Sequence, residues 1–295
     1  MAMVNSLERQ SFYKLEERFI LIIFVLILSQ MSFSEIIFAQ RDLVIFPQRV
    51  VFEDNKRMQV LNLANTGEEV AKYNISIVQI RMKDDGGFEN ITEPDSGQYF
   101  ADPYLRIYPR TVTLQPKETQ VVKVQLRKKN LLTDGEYRSH IYFRGVLNDD
   151  VLEHGDKDSL KDVNGVVVRL VPIYGVTIPA IIRVGESTTE VNLSNLSFEM
   201  KDDTVPTIKF DINRKGNMSV YGDVDVEYIS KEGEMSQVGK IKGVAVYTPN
   251  LIRKCELNLK NYKNVNYDNG RLLLKYFDKR EDKDSFIITK ELRLN

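Results

Sequence analysis

Apolar and polar residues alternate with a period of two along most of the chain after residue 42. Val122, Val124 and Leu126, for example, are separated by single polar residues. The same spacing recurs in Tyr73–Ile77, Tyr137–Phe143, Ile208–Ile212, Val224–Tyr228 and Leu272–Tyr276. In the second of these runs, Tyr137, Ile141 and Phe143 share one face, and the other face is polar, with Arg138, His140 and Arg144. Because successive side chains of a strand point to opposite faces of a sheet, this pattern predicts half-buried antiparallel strands. No stretch has helical periodicity over more than a turn or two.

Turn-forming residues separate these runs. The clearest signals are Asn65-Thr66-Gly67, Asp84-Asp85-Gly86-Gly87, Pro116-Lys117, Asp134-Gly135, Lys215-Gly216-Asn217 and Asp268-Asn269-Gly270. About seven short strands with turns every 8–12 residues or so are typical of a β-sandwich. A second β-rich unit follows Gly185-Glu186. We therefore expect an all-β chain with two sandwich domains. Asp134–Tyr137 also fits a tyrosine corner, with an exposed turn before a core tyrosine as the alternative.

The segment Gly165–Arg183 is long, apolar and rich in β-branched residues, which favours a strand. Arg169, Pro172, Gly175 and Pro179 interrupt it, so it does not fit a membrane helix. We predict one long strand that closes the first domain, offers some of its side chains to a partner and leads into the second domain.

Composition excludes several classes of protein. Lys and Arg number 41 and Asp and Glu number 42, for a net charge of −1, which gives no electrostatic basis for binding nucleic acid. Hydrophobic residues make up 42% of the chain, enough for two cores. Cys255 is the single cysteine, so no internal disulfide forms, and we expect it to be a buried small hydrophobe.

The N-terminus has the features of a secretory signal peptide. Lys14 and Arg18 precede the apolar run Phe19–Leu28, and Ala39-Gln40 offers a cleavage site. A signal anchor that stays in the membrane is the alternative. The predicted boundaries are a signal peptide at 1–39, a first domain at 40–184 and a smaller second domain at 185–295.

The sequence carries no recognisable catalytic motif, and we expect neither an enzyme nor a small-molecule substrate. Its two histidines, His140 and His154, are far along the chain from Cys255, and no nucleophile elbow, Walker loop, dinucleotide fingerprint or zinc motif occurs. His154, Asp156 and Asp158 do not have calcium-loop spacing, so no metal and no cofactor are predicted. A hydrolase with a carboxylate pair stays open as a weaker alternative.

Several segments of the first half resemble the periplasmic pilus-assembly chaperones of Gram-negative bacteria, the PapD-like family. In the family's order they are Pro47–Glu53, Val60–Gly67, Arg106–Arg110, Leu114–Pro116 and Asp134–Arg144, within residues 42–184. Asn217–Gly222 and Gly243–Pro249 resemble the second domain of a divergent branch.

The resemblance implies a periplasmic chaperone with two immunoglobulin-like domains in an L-shaped arrangement. Its partners are subunits of pili or other surface fibres, whose incomplete sandwich it completes with a donated strand; the part of an outer-membrane usher is left open. Strand addition supplies main-chain hydrogen bonds and fills pockets with alternate side chains. The donated side chains would be Val168, Leu170, Pro172 and Tyr174; alternatively they complete the protein's own core.

The resemblance also implies two residues that bind the subunit's C-terminal carboxylate. Arg49 matches the family's arginine, but the lysine position falls at Pro179, with no lysine nearby. Arg183 matches an arginine at the junction between the domains. Arg138 stands where an acidic residue is usual, and Glu136 is the expected substitute. An exported structural or adhesive immunoglobulin-like protein that donates no strand is the alternative function.

Overall fold

The computed structural model describes residues 43–53, 55–146, 161–163, 166–168, 173–262, 265–280 and 283–294. The predicted signal peptide therefore lies outside the described residues. Within these ranges the chain forms strands and two short 3-10 turns, Asp102–Tyr104 and Lys129–Leu131, so the all-β prediction is confirmed. The described part contains no helix of the length and hydropathy needed to cross a bilayer.

The first sandwich is built from two sheets. Its strands are β1 (Leu43–Phe46), β2 (Val50–Phe52), β3 (Met58–Asn65), β4 (Ala71–Val78), β7 (Leu105–Tyr108), β8 (Thr111–Leu114), β9 (Thr119–Leu126), β10 (Gly135–Val146) and β13 (Gly175–Val184). One sheet has the order β1-β3-β9-β7 and the other β2-β13-β10-β4-β8. Reading β1, β3, β4, β7, β9, β10 and β13 as strands A to G gives the ABED and CFG sheets of an immunoglobulin-like domain.

The core of this sandwich comes from the alternating apolar positions. Leu61 and Leu63 from β3 meet Val122 and Val124 from β9, and Phe143 closes on them from the other sheet; all five are fully buried. Because each strand places every second residue inward, the period-two pattern of the sequence selects these side chains.

The second sandwich is also built from two sheets around an apolar core, but its strand order differs. Its strands are β14 (Glu190–Lys201), β15 (Val205–Lys215), β16 (Val220–Ile229), β17 (Met235–Val246), β18 (Ile252–Asn258), β19 (Arg271–Arg280) and β20 (Lys283–Arg293). The sheets run β14-β15-β18 and β17-β16-β19-β20. Phe210, Val226, Leu274 and Tyr276 are among its fully buried core residues.

Two small hairpins form separate two-stranded sheets. β5 (Ile80–Met82) pairs with β6 (Phe88–Asn90), and β11 (Lys161–Val163) pairs with β12 (Val166–Val168). The second hairpin changes the interpretation of Gly165–Arg183. One continuous strand was predicted, but β12 pairs back on β11, while Ile173 and Tyr174 lie outside any strand and β13 begins only at Gly175.

The tyrosine corner is present. The Tyr137 hydroxyl oxygen lies 3.1 Å from the Thr133 backbone nitrogen, which donates to it, and 3.0 Å from the Thr133 hydroxyl. Tyr137 is itself buried at the start of β10, so the corner ties the turn before this central strand to the strand itself.

Candidate functional site

Three neighbouring strands of the first sandwich present their outer face to the second sandwich. β13 lies between β10, its antiparallel partner, and β2, its parallel partner. Their inward residues, such as Ala180, Ile182 and Ile141, belong to the first core. The intervening residues form what we call the junction face: Arg49, Val51, Glu53, Glu136, Arg138, His140, Pro179, Ile181 and Arg183.

An ion-pair network on this face joins the two sandwiches. Arg183 Nε donates to Glu136 Oε2 at 3.0 Å, its Nη1 donates to Glu53 Oε1 at 2.8 Å, and its Nη2 donates to the Ser219 carbonyl at 2.8 Å. Glu136 Oε2 also accepts from the backbone nitrogen and hydroxyl of Ser219, at 3.0 and 2.7 Å. Burial lowers the pKa of Arg183, but the charges of Glu136 and Glu53 outweigh it, so the pKa is raised.

Ile181 lies at the centre of a small apolar cluster between the sandwiches. Its buried neighbours are Met82 from the first hairpin and Ala245 and Tyr247 from the second sandwich. Arg138, 2% exposed, lies over the Tyr247 ring with Cζ 4.4 Å from the centroid, and donates to the Ile80 and Thr248 carbonyls. The predicted polar face of β10 is therefore buried at this junction and does not face solvent.

His140 is the other buried polar residue of β10 on the junction face. Its ring meets Phe88 and Tyr247 edge-on, and its Nδ1 atom is buried with no hydrogen-bond partner. Burial, together with the positive charge of Arg138, lowers the pKa of His140 to about 3. The imidazole is therefore neutral at ordinary pH, and protonating it would work against the junction.

Arg49, the predicted carboxylate-binding residue, lies at the end of the junction face just before β2. Its guanidinium carbon is 4.4 Å from the centroid of the Tyr221 ring and 5.8 Å from that of Tyr247. Its Nη1 atom is buried and has no hydrogen-bond partner. A buried donor without a partner costs free energy unless something binds to it, so this atom indicates a place for an acceptor.

Beside Arg49, one edge of β13 is open. β2 pairs with β13 only at residues 180–182, and among the described residues no strand pairs with that edge over residues 175–179. The Gly145 backbone nitrogen donates to the Tyr174 carbonyl, and hydrogen-bonded pairs alternate along an antiparallel ladder. Continuing the register turns the peptide groups of Gly175 and Thr177 outward, toward the open edge.

Pro179 ends this open stretch. The register of β13 with β2 pairs Ala180 with Val50, so the preceding position sets Pro179 opposite Arg49. Proline has no N–H to donate to a ladder. The open edge thus has outward backbone N–H groups at Gly175 and Thr177 but none at Pro179. The Arg49 guanidinium lies at the position where these donors end.

The four predicted donated side chains are not assembled on one described strand. Val168 lies in β12, which pairs with β11, and Tyr174 is 69% exposed just before β13. Leu170 and Pro172 lie outside the described residues. Whether these residues share one face therefore stays a prediction.

Sequence reasoning missed the contact of the β5–β6 hairpin with the second sandwich. The Lys254 backbone nitrogen donates to the Asp84 carbonyl at 2.7 Å, and Asn250 Nδ2 donates to the Met82 carbonyl at 2.8 Å. The run Asp84–Gly87 was identified as a turn, but no local signal indicates that β18 lies against it. These bonds provide a second attachment between the sandwiches.

No metal centre or reactive thiol is evident in the described part of the chain. There, no group of three His, Cys, Asp or Glu side chains is arranged to hold a metal ion. Cys255, expected to be buried, is half-buried on β18, and burial raises the pKa of its thiol. His154, Asp156 and Asp158 lie outside the described residues.

No protein-family model matches the sequence, and a search of curated proteins gives no significant match. Among solved structures, the chain is similar to the YadV chaperone, with 11% identity, 86% of this chain and 100% of that chain covered, and a TM-score of 0.42. It is also similar to the Pseudomonas aeruginosa CupB2 chaperone, with 15% identity, 85% of this chain and 100% of that chain covered, and a TM-score of 0.41. The third similar structure is the Salmonella enterica SafA pilin in complex with the SafB chaperone. Here the identity is 11%, the match covers 85% of this chain and 96% of that chain, and the TM-score is 0.41.

Proposed function

We propose that the protein is a periplasmic chaperone that binds subunits of pili or other surface fibres by adding a strand to their incomplete fold. The observation that carries the proposal is the open edge of β13, which ends beside the unpaired, buried Nη1 atom of Arg49. In this account the signal peptide 1–39 directs export, residues 40–184 form the donating domain, and residues 185–295 form the second domain.

The geometry favours one direction for the client strand. β2 runs parallel to β13 and starts just after Arg49. A client strand could pair with the same edge of β13, beside Gly175 and Thr177. If it also runs parallel to β13, its C-terminus lies at Arg49. An antiparallel strand would bring its positive N-terminus to the guanidinium. The charge of Arg49 therefore selects the parallel strand with its C-terminal carboxylate.

Pro179 limits how far the client strand extends. Because it offers no N–H at the position opposite Arg49, main-chain pairing stops where the charged contact begins. Because proline occupies the position of the family's lysine, the proposed carboxylate site depends on Arg49. Val168, Leu170, Pro172 and Tyr174 remain the proposed set of donated side chains.

Co-purification tests the proposal. The mature protein, isolated from the periplasm of cells that export it, should carry a client in a one-to-one ratio. Tyr174→Asp should release the client, because a charge replaces an apolar side chain in the client's pocket. Tyr262→Asp, at a partly exposed tyrosine of the second sandwich, is the matched control and should retain it.

Arg49→Ala separates the carboxylate contact from strand addition. Loss of a charge-assisted hydrogen bond should weaken client binding by about 1.5–3 kcal/mol. Arg106→Ala removes an exposed arginine from the other sheet and should leave the affinity unchanged. An unchanged affinity in Arg49→Ala would remove Arg49 from the site.

A structural or adhesive immunoglobulin-like protein is the second candidate. It would bind its ligand regardless of Tyr174 and Arg49, and would purify without a stoichiometric client. Among the described residues no strand pairs with β13 at residues 175–179, and Arg49 Nη1 has no acceptor, which favours the chaperone. A purely structural sandwich gains nothing from an open edge, which invites aggregation.

A further inference from the structure

The two arginines of the junction face differ in how their donors are used. The Arg183 guanidinium donates hydrogen bonds to Glu136, Glu53 and Ser219. Among the described residues no acidic side chain forms an ion pair with Arg49, and its Nη1 atom is buried without an acceptor. Its contacts with the second sandwich are through the faces of two tyrosine rings.

An aromatic face holds a guanidinium without consuming its hydrogen-bond donors. The N–H groups of the planar guanidinium lie in its plane, while the attraction to a ring acts through its face. A carboxylate in the place of Tyr221 would instead occupy the donors, as Glu136 does with Arg183. Tyr221 therefore immobilises Arg49 and leaves an N–H edge for another anion.

Local backbone structure sets the position of the Tyr221 ring. Tyr221 on β16 pairs with Ala245 on β17, and the register shifts between Gly222 and Val224. Gly243 in the shifted stretch has φ +70°, and a Cβ there would lie 2.7 Å from the Tyr221 hydroxyl oxygen. The Gly243 nitrogen donates to Asp223 Oδ1 at 2.9 Å, which stabilises this conformation. A side chain at residue 243 would therefore press on the hydroxyl end of the Tyr221 side chain.

We propose that Tyr221 is the positioning residue of the carboxylate site: a side chain of the second sandwich orients Arg49 of the first toward a client's C-terminal carboxylate. This inference rests on the proposed function. It gives the second sandwich a part in client recognition that the open edge of β13 does not require.

Two forms of one peptide test the inference. The probe is an acetylated peptide of alternating valine and threonine, made once with a free C-terminal carboxylate and once with a C-terminal amide. The ratio of the two affinities, measured by calorimetry, reports the carboxylate contact and cancels the main-chain contribution. The wild-type protein should prefer the free acid.

Tyr221→Leu should reduce this preference by about 2- to 30-fold, the range of one cation–π contact. Tyr221→Phe keeps the ring and should retain the preference, whereas Gly243→Ala should displace the ring and reduce it. Tyr262→Leu, at a tyrosine of similar exposure, is the control and should change nothing. Urea unfolding of each variant confirms that it is folded.

The outcomes separate the inference from the proposed function. If the wild-type protein binds neither peptide, or both equally, the carboxylate grip itself fails and the role of Tyr221 fails with it. If the wild-type protein prefers the acid and Tyr221→Leu does so to the same degree, Arg49 binds the carboxylate without Tyr221 and only this inference is overturned.

Discussion

Glu136 and Arg183 stand opposite each other on β10 and β13, and their side chains form an ion pair with 3.0 Å between Oε2 and Nε. The Glu136 side chain is fully buried, and the Arg183 side chain is 10% exposed. Because the same carboxylate also accepts from Ser219, one pair of charges links the two central strands of the first sandwich to the second sandwich.

Removing the charge of Glu136 should destabilise the fold strongly. Glu136→Gln leaves the buried Arg183 guanidinium with part of its partners, and breaking a buried ion pair costs about 3–5 kcal/mol. We expect a loss of that order in the free energy of unfolding by urea. Glu256→Gln breaks the exposed pair with Lys201, which solvent screens, and should lower the free energy of unfolding far less. Equal losses in the two variants would contradict the role assigned to Glu136.

Acid should destabilise the protein through His140. The folded pKa of about 3 lies below the value near 6.5 of a solvated histidine, so below about pH 6.5 the unfolded chain binds a proton that the folded protein does not. Stability due to the neutral His140 is thus complete above pH 6.5 and declines as the pH falls toward 3, by up to about 1.4 kcal/mol per pH unit.

His140→Phe isolates this effect, because the phenyl ring can occupy the same place between Phe88 and Tyr247 without titrating. Urea unfolding at pH 7, 6 and 5 should show a smaller loss of stability in the variant than in the wild-type protein. The same pH dependence in both would mean that other groups, not His140, account for the acid sensitivity.

The β5–β6 hairpin should be sensitive to any side chain at its turn. Gly86 has φ +83°, and a Cβ there would lie on the guanidinium of Arg253, whose Nη1 contacts Met82 Sδ. Gly86→Ala should therefore displace Arg253 in addition to straining the backbone. Gly233, at φ +90° with nothing near its absent side chain, provides the control.

We expect Gly86→Ala to cost somewhat more than Gly233→Ala, because the Arg253 guanidinium must move aside and lose its contact with Met82 Sδ. Denaturant unfolding of the two variants measures the difference. Equal costs would show that Arg253 moves aside freely and that the hairpin does not depend on this contact.

The tyrosine corner should contribute less to the free energy of unfolding than the Glu136–Arg183 ion pair. Tyr137→Phe removes the hydroxyl group that bonds to Thr133, which should lower the free energy of unfolding by about 1 kcal/mol. Tyr108→Phe removes a hydroxyl from a 71% exposed tyrosine and should have little effect. A loss in Tyr137→Phe no larger than in Tyr108→Phe would mean that the corner is not stabilising.

Much of the fold follows from the period-two pattern, because the pattern selects the inward side of each strand. Ile141 and Phe143 were predicted to share a face, and both are fully buried in the first core. The pattern does not indicate what covers the other side. Arg138 and His140 were therefore expected on a polar face, although the second sandwich buries them.

The site was only partly predictable. Arg49 and Arg183 were selected through the resemblance of their segments, and Glu136 was named as a substitute for an acidic partner. Tyr221 was not singled out, because its contact with Arg49 joins residues on different domains and leaves no local spacing in the sequence. Similarly, the division of Gly165–Arg183 into β12 and β13 depends on pairing with β11, which apolar character alone does not reveal.

The central claim is that a client strand pairs with the open edge of β13, and amide hydrogen exchange at Thr177 tests it most directly. The Thr177 amide should exchange fast in the free protein and slow in complex with the acetylated valine–threonine peptide that ends in a carboxylate. The Val176 amide, which faces β10, should be protected in both states. Fast exchange at Thr177 when the peptide is saturating would contradict strand addition at this edge.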